Sequence, residues 1–410
     1  MANGRLEHAN ILLGVTGSIA AYKACEVLRL LQREGASVRV VMTAAAQKFV
    51  TPLTFETLSG DEVITELFPS RRVVKTRHVA VADWAHCVLV CPATLNCIGK
   101  IAAGIADDFL TIAIAAARSP VVFAPAMDFQ MARHPMYAEN CERLQARGYR
   151  FVSFEEGELA SGATGAGRLA RLERIVDGVR LALSDTSRLP GIRVLVTAGP
   201  TREPIDPVRF LSNRSSGKMG LAIAEEAVLR GAEVTLVTGA VPPHAMDGIR
   251  VVPVATAADM ASAVEREWKR HDALFMAAAV ADFRPKTVAV EKIKKSTGRL
   301  LLEMETTDDI LSRAAAVKGN RTVVGFALET GDGPARARQK LIDKKLDLIC
   351  LNNPLEPGSG FETDTNRITI IAANADPVEL PLMPKWEAAR RILDTVEGRM
   401  KTEAAHGVGA

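Results

Sequence analysis

The chain has 410 residues, enough for two or three domains at roughly 150 residues each, every one with a sizeable core. Apolar residues make up 48% and charged residues 24%, the balance of a soluble globular protein. With 51 Lys+Arg against 48 Asp+Glu and only 5% aromatics, the chain offers neither a basic field nor a stacking platform, so the expected partners are small molecules, not nucleic acid or membrane.

Strand-like and helix-like runs alternate along the chain, the rhythm of parallel α/β folds. Residues 1–10 are polar, and the apolar stretch 109–127 is interrupted by Arg118 and Pro120, so the expectation is a cytoplasmic protein with no membrane span. Residues 11–15 read as a strand that meets Thr16-Gly17-Ser18 and then a helix over 19–33, with Val27, Leu28 and Leu31 on one face. Gly35 stops that helix and a second strand covers 38–42; further strands at 88–91 and 121–124 each run into a proline. A second start comes at 192–196, followed by Thr197-Ala198-Gly199-Pro200, a helix over 216–230 stopped by Gly231, and strands at 234–237, 273–277, 322–326 and 346–351. Glu34-Gly35-Ala36-Ser37-Val38 is echoed by Arg230-Gly231-Ala232-Glu233-Val234, which supports two doubly wound sheets in tandem. Proline-closed 185–190 reads as a linker between domains 1–184 and 191–402, and 403–410 as a flexible tail. The six cysteines fall in no metal-binding spacing and read as free thiols of a reducing compartment.

In such sheets ligands sit at the carboxyl ends of strands, where loops lead into helices. Gly14-Val-Thr-Gly17-Ser18 is either a phosphate-facing turn or an ordinary strand-to-helix connection. The second strand ends in Met42-Thr43-Ala44 with no carboxylate for a ribose, which disfavours NAD and points to a mononucleotide or flavin phosphate. Cys91-Pro-Ala-Thr-Leu-Asn96 and Ala124-Pro-Ala-Met-Asp128 follow buried strands, and His78 stands at the start of a helix over 79–84. Glycine-rich 157–168 reads as a mobile flap carrying an anion-binding Arg168, or as a disordered surface loop. In the second half, Ser212-Asn213-Arg214-Ser215-Ser216-Gly217-Lys218 precedes a helix and is rich in donors, without the Walker A spacing. Asp282 is read as ending a strand, a position suited to a metal or ribose contact. Lys292, Lys294 and Lys295, with Lys340 and Lys344 one helical turn apart, read either as solvated faces or as charges converging on a triphosphate.

Taken together these segments resemble, along nearly the whole chain, the bifunctional phosphopantothenoylcysteine decarboxylase/phosphopantothenate–cysteine ligase family of coenzyme A synthesis. The carriers are Val196-Thr-Ala-Gly-Pro-Thr-Arg-Glu-Pro-Ile-Asp-Pro-Val-Arg-Phe210, the Asn213 loop, Ala277-Ala-Ala-Val-Ala-Asp282, Glu291-Lys-Ile-Lys-Lys295, Gly325-Phe326 and Lys340…Lys344. In the first half they are Gly14…Lys23, Pro92-Ala-Thr-Leu-Asn96, Gly104-Ile-Ala-Asp-Asp108 and His78 ahead of Trp84. The resemblance implies a flavodoxin-like flavoprotein domain followed by a Rossmann-like ligase domain. It also implies CTP-dependent ligation of cysteine to 4′-phosphopantothenate through an acyl-cytidylate, with Mg²⁺, and then FMN-dependent decarboxylation. It assigns FMN to Gly14, Thr16, Gly17, Ser18, Thr43, Pro92, Thr94, Asn96, Ala106 and Asp107. Substrate contacts go to Met127, Asp128 and Arg168 and, in the second half, to Ala277, Ala278, Asp282, Lys292, Phe326, Lys340 and Lys344. His78 would be the base and Ser161 would stand at the flap's acid; Asn213 would bind the acyl intermediate, Lys292 would neutralise the triphosphate with Lys340 and Lys344, and Asp282 would contact the nucleotide or its metal. Homo-oligomers are implied too, with trimeric flavin domains and dimeric ligase domains building a dodecamer.

Two positions depart from the family pattern: Asp128 replaces an asparagine and Ser161 a cysteine. An ionised Asp128 would repel a substrate carboxylate unless it were protonated or turned to another donor, and Ser161 is a weak acid. A competing reading is therefore an active ligase fused to an impaired or regulatory flavin-binding domain. Another is a flavin oxidoreductase or prenyl-flavin enzyme fused to an unrelated nucleotide-binding domain, which leaves the lysine series without a use.

Overall fold

Buried on both faces, β1 (Asn10–Val15) sends Ile11, Leu13 and Val15 to one side and Leu12 to the other, the alternation that a strand imposes. It is the axis of the first of two units, residues 1–184 and 185–410, in a computed structural model that describes residues 4–68, 77–240, 244–295, 300–329, 333–360, 362–373 and 375–407. The first unit continues with α1 (Lys23–Arg33), β2 (Ser37–Met42), α2 (Pro52–Ser59), α3 (Arg77–Trp84), β3 (Cys87–Ala93), α4 (Leu95–Ala103), α5 (Phe109–Ala116) and β4 (Val121–Pro125). After these come α6 (Phe129–Ala132), α7 (Pro135–Gln145), β5 (Arg150–Phe151), β6 (Glu155–Glu158), β7 (Thr164–Arg168) and α8 (Leu172–Leu183). The sheet runs β2-β1-β3-β4-β5, all parallel, the flavodoxin-like order. Leu28 and Leu31 of α1 and Ile175 and Val179 of α8 cover one face; Ile98, Leu110 and Ile114 of α4 and α5 cover the other.

The second unit holds β8 (Arg193–Ala198), β9 (Arg202–Pro204), β10 (Phe210–Ser212), α9 (Lys218–Leu229), β11 (Glu233–Thr238), β12 (Ile249–Pro253), α10 (Ala257–Trp268) and β13 (Ala273–Met276). Then follow β14 (Phe283–Pro285), β15 (Met304–Thr306), α11 (Ile310–Ala316), β16 (Thr322–Leu328), α12 (Gly333–Asp343) and β17 (Leu348–Asn352). It closes with β18 (Thr365–Asn366), β19 (Ile368–Ala372), β20 (Val378–Glu379), β21 (Met383–Pro384) and α13 (Lys385–Gly407). Its eight-stranded sheet runs β12-β11-β8-β13-β16-β17-β19-β20. The first six strands are parallel, in the dinucleotide-fold order 3-2-1-4-5-6, and β19 and β20 extend them antiparallel. The doubly wound expectation is met in both units.

Several boundaries differ from the sequence reading. The strand expected over 273–277 ends at Met276, leaving 277–282 as a loop, and the glycine-rich flap is a hairpin of β6 and β7. Residues 185–190 pack into the second unit, with Leu189 buried and its N–H donating to the Arg230 carbonyl at 2.8 Å. Where a tail was expected, α13 runs to Gly407. Cys87, Cys91 and Cys97 are buried, and burial pushes their thiols up to about 12. Among the described residues no helix is long and apolar enough to cross a membrane.

Candidate functional site

In the first sheet the strand order reverses between β1 and β3, and the loops leaving these strands meet there. Buried Thr16 donates its Oγ1 to the Pro92 carbonyl at 2.6 Å and accepts the Thr94 N–H at 3.1 Å. Thr94 caps α4 by accepting from the Cys97 N–H at 3.3 Å, which places Asn96 in that helix's first turn. The first loop lies so close to the turn after β2 that a Cβ on Gly17 would stand 2.4 Å from that of Ala45. In the same turn the Thr43 N–H donates to the Val15 carbonyl at 3.1 Å. Ser18 caps the short turn Ile19–Tyr22 by accepting the Ala20 N–H. Hydroxyls and backbone donors at two helix starts form the kind of surface that holds a phosphate.

Beside it opens a cleft of about 650 Å³, lined by Ser18, Ile19, Tyr22, Lys23, Met127, Asp128, Ser161 and Arg168 among others, a size suited to a cofactor. Expected positions of three kinds line it: Ser18 for the cofactor, Met127, Asp128 and Arg168 for substrate, and Ser161 as the flap's acid. Lys23 and Tyr22 were missed as lining residues, although both lie inside the Gly14…Lys23 motif.

Three assignments are redirected. Gly14 lies within β1, where an added Cβ would stand 2.4 Å from the Leu110 Cδ1, so its glycine serves helix packing. The Asp107 carboxylate is held by Lys100 Nζ at 2.8 and 2.9 Å, which lowers its pKa, and Ala106 beside it is exposed. Asp128 accepts the Ser161 hydroxyl at 2.6 Å and the Gln130 N–H at 3.0 Å; both bonds hold its carboxyl below the usual range. It is ionised and already occupied. His78 stands half-buried in the first turn of α3, outside the lining of the cleft.

In the second unit the order reverses between β8 and β13. The loop 277–282 leaving β13 is fastened to the loop leaving β8. The Ala278 N–H donates to Thr197 Oγ1 at 3.2 Å, Ala279 N–H to the Gly199 carbonyl at 2.9 Å, and Ala281 N–H to Thr201 Oγ1 at 3.0 Å. Exposed Asn213 donates its Nδ2 to the Val280 carbonyl at 2.9 Å, joining the donor-rich loop to the same edge. A Cβ on Gly220 would meet the Thr197 carbonyl at 2.8 Å, so α9 starts flush against this loop. Asp282 stands exposed at the loop's far end, not at a strand terminus as expected.

Half-buried Lys340 completes the constellation. Burial first and then the charge of Lys344 lower its pKa, against the opposing charges of Glu329, Asp282 and Asp309. Lys344 follows α12 and pairs with Asp309 Oδ2 at 2.7 Å. Phe326 lies half-buried on β16, opposite Cys350, and Ala277 and Ala278 are half-buried in the adjoining loop. Lys292 is exposed in a loop anchored from below: buried Asp206 accepts the Ile293 N–H at 3.2 Å, and Arg209 donates to the Ile293 carbonyl at 3.2 Å. Neither Asp206 nor Asp309 was singled out from the sequence, though Asp206 sits inside the Ile-Asp-Pro-Val-Arg run. Among the described residues no group of three or more His, Cys, Asp or Glu is placed to hold a metal, so Asp282 has no preformed cage around it.

Comparison with known proteins accords with this division. The Flavoprotein family profile matches residues 2–184, and the DNA/pantothenate metabolism flavoprotein C-terminal domain matches residues 189–400. The chain is 45% identical over 399 residues to the coenzyme A biosynthesis bifunctional protein CoaBC of Bacillus subtilis (strain 168), covering 97% of this chain and 98% of that protein. It is 42% identical over 393 residues to the CoaBC protein of Escherichia coli (strain K12), covering 95% and 97%. A crystal structure of the C-terminal domain of a CoaBC protein matches 53% of this chain and 99% of its own, at 40% identity and a TM-score of 0.46. The chain belongs to the family of coenzyme A biosynthesis bifunctional proteins, CoaBC.

Proposed function

We propose that the second unit joins cysteine to 4′-phosphopantothenate at the expense of CTP, and that the first unit decarboxylates the phosphopantothenoylcysteine formed to 4′-phosphopantetheine. The observation that carries this reading is the coexistence in one chain of a hydroxyl-lined cradle beside a cofactor-sized cleft and a lysine-bearing switch point. Ligation requires a carboxylate to attack the α-phosphate of CTP, expelling pyrophosphate and giving an acyl-cytidylate, from which the cysteine amine displaces CMP to form the amide. Lys340, Lys344 and Lys292 neutralise the triphosphate, and the Ala277 and Ala278 backbone positions the nucleotide beside Phe326. Asn213 orients the acyl group, and Asp282 would help hold a Mg²⁺ ion, which would supply further neutralisation of the negative charge.

In the first unit Thr16, Gly17, Ser18, Thr43, Pro92, Thr94 and Asn96 hold FMN, which supplies two-electron redox chemistry at the cysteine end. Arg168 and Met127 position the substrate, the β6–β7 hairpin excludes water, and His78 takes a proton. Because His78 lies outside the cleft of its own chain, the reading includes a site completed by another copy: trimeric flavin units and dimeric ligase units in a cytoplasmic dodecamer.

A second reading, an active ligase joined to a flavin-binding unit without decarboxylase activity, is favoured by one observation: the Ser161 proton is committed to Asp128. Purified protein given 4′-phosphopantothenate, CTP, Mg²⁺ and cysteine separates the two by mass spectrometry. Amide that goes on to lose CO₂ supports the first reading, and amide that accumulates in a yellow protein supports the second. Absence of amide overturns both.

A further inference from the structure

Three contacts lay the β6–β7 hairpin directly on the segment Met127–Phe129 that lines the cleft. The Met127 N–H donates to the Gly167 carbonyl at 3.0 Å. Glycine is required at two hairpin positions, since a Cβ on Gly165 would stand 2.3 Å from the Phe129 ring and one on Gly167 would stand 2.4 Å from the Met127 carbonyl. At the tip, the Ser161 hydroxyl reaches Asp128 at 2.6 Å, a charge-assisted bond that crosses from hairpin to cleft wall. Asp128 is fixed from its other side by capping Phe129–Ala132, accepting the Gln130 N–H.

We propose that Asp128 and Ser161 form a latch that sets the hairpin across the cleft, making Asp128 a positioning residue and not a receptor for the substrate's carboxylate. The carboxylate already has two donors on the protein, and its charge opposes a second carboxylate in the same cleft. Ser161 has a single hydroxyl proton, and the latch uses it. The two departures from the family pattern therefore act as one unit. The proposal rests on the decarboxylase reading only for its kinetic consequence; the latch itself is a property of the chain without substrate.

Amide hydrogen exchange of the purified full-length protein tests it directly. Ser161→Ala and Asp128→Ala each speed exchange across residues 155–168 by roughly fivefold, and the double variant exchanges no faster than either single one. Asp128→Asn, whose amide oxygen still accepts, stays within about twofold of wild type. Unchanged exchange in both single variants, or effects that multiply in the double variant, would overturn the latch. Decarboxylation by the wild type is measured separately, so its absence sinks the functional reading while exchange still decides the latch. Where the wild type decarboxylates, Asp128→Asn keeps KM for phosphopantothenoylcysteine within about twofold. A tenfold fall in that KM would show that Asp128 faces the substrate carboxylate, and would also overturn the proposal.

Discussion

Burial and the neighbouring Lys344 both disfavour a charge on Lys340, and three surrounding carboxylates recover only part of it. An arriving triphosphate favours the protonated form, so its binding raises the Lys340 pKa from a value held below the usual 10.5. Between the free and bound values the complex carries more protons than the free protein, and affinity must fall as pH rises through that window. Calorimetric titration with CTP should therefore show proton uptake and a Kd that climbs with pH on the alkaline side. Lys340→Met should remove that slope and weaken binding about tenfold, the worth of one charge-assisted contact. A Kd indifferent to alkaline pH in the wild type would deny the contact. At the other site, the Ser161 hydroxyl donates its hydrogen bond to an ionised Asp128, so it is poorly placed to protonate a substrate. Ser161→Ala should keep kcat for decarboxylation within about tenfold of wild type, since general-acid removal costs about a hundredfold or more. A hundredfold loss would return the acid role to the hydroxyl.

The lysine-bearing segment 289–295 owes its place to a neighbouring element, the hairpin of β9 and β10. The Ala289 N–H donates to the Ile205 carbonyl at 3.0 Å, and Asp206 receives the N–H groups of Val208, Arg209 and Ile293. Asp206→Ala should release the segment and raise KM for CTP about tenfold, as a displaced positioning group does, while decarboxylation of supplied phosphopantothenoylcysteine is unchanged. Equal losses in both half-reactions would point instead to general unfolding. Elements of this kind were hard to read in advance. The parallel strands announced themselves because burial on both faces makes them continuous apolar runs, as in Val88–Val90 or Val194–Val196. The hairpin strands β6 and β7 carry Glu, Gly and Arg with no apolar alternation, and their pairing is set by glycines that let them lie on Met127–Phe129. Asp282 reads as a strand end because 273–281 is apolar throughout, yet the sheet releases the chain at Met276, and Thr197 of β8 and Thr201 beyond it hold the rest. The site residues carried by motifs were legible, while Asp309 and Lys23 gain their meaning from neighbours distant in sequence or from a cleft wall.

Each unit has a core of its own, and the second contains a buried ionic cluster centred on Arg230. The Arg230 side chain, only 2% exposed, bonds Glu226 at 3.0 Å, Asp394 at 3.0 Å and Glu397 at 3.2 Å, and donates to the Arg390 carbonyl at 2.8 Å. Arg188 joins from 185–190, reaching Asp394 and Glu397 at 2.7 Å each, so the cluster ties the start of the unit to α9 and α13. Removing one partner from a buried network strands the remaining charges, and Arg230→Ala should cost the second unit about 3–5 kcal/mol. Arg230→Lys should recover only part, because an ammonium cannot reproduce the planar fork. Acid should act through the same cluster. Burial works to raise the pKa of Glu397, but bonds from Lys401 and Arg188 outweigh it and hold the carboxyl below its usual 4.5. The stability this group contributes is present in full above that value and is lost as pH falls through the lowered one. A thermal scan of full-length protein, following flavin fluorescence for the first unit and ligation after brief heating for the second, distinguishes the units. In Arg230→Ala ligation should fail at a lower temperature while flavin release stays where it was, because the cores melt as separate cooperative units. If both transitions moved down together, the chain would unfold as one body and the two functions would share a single stability.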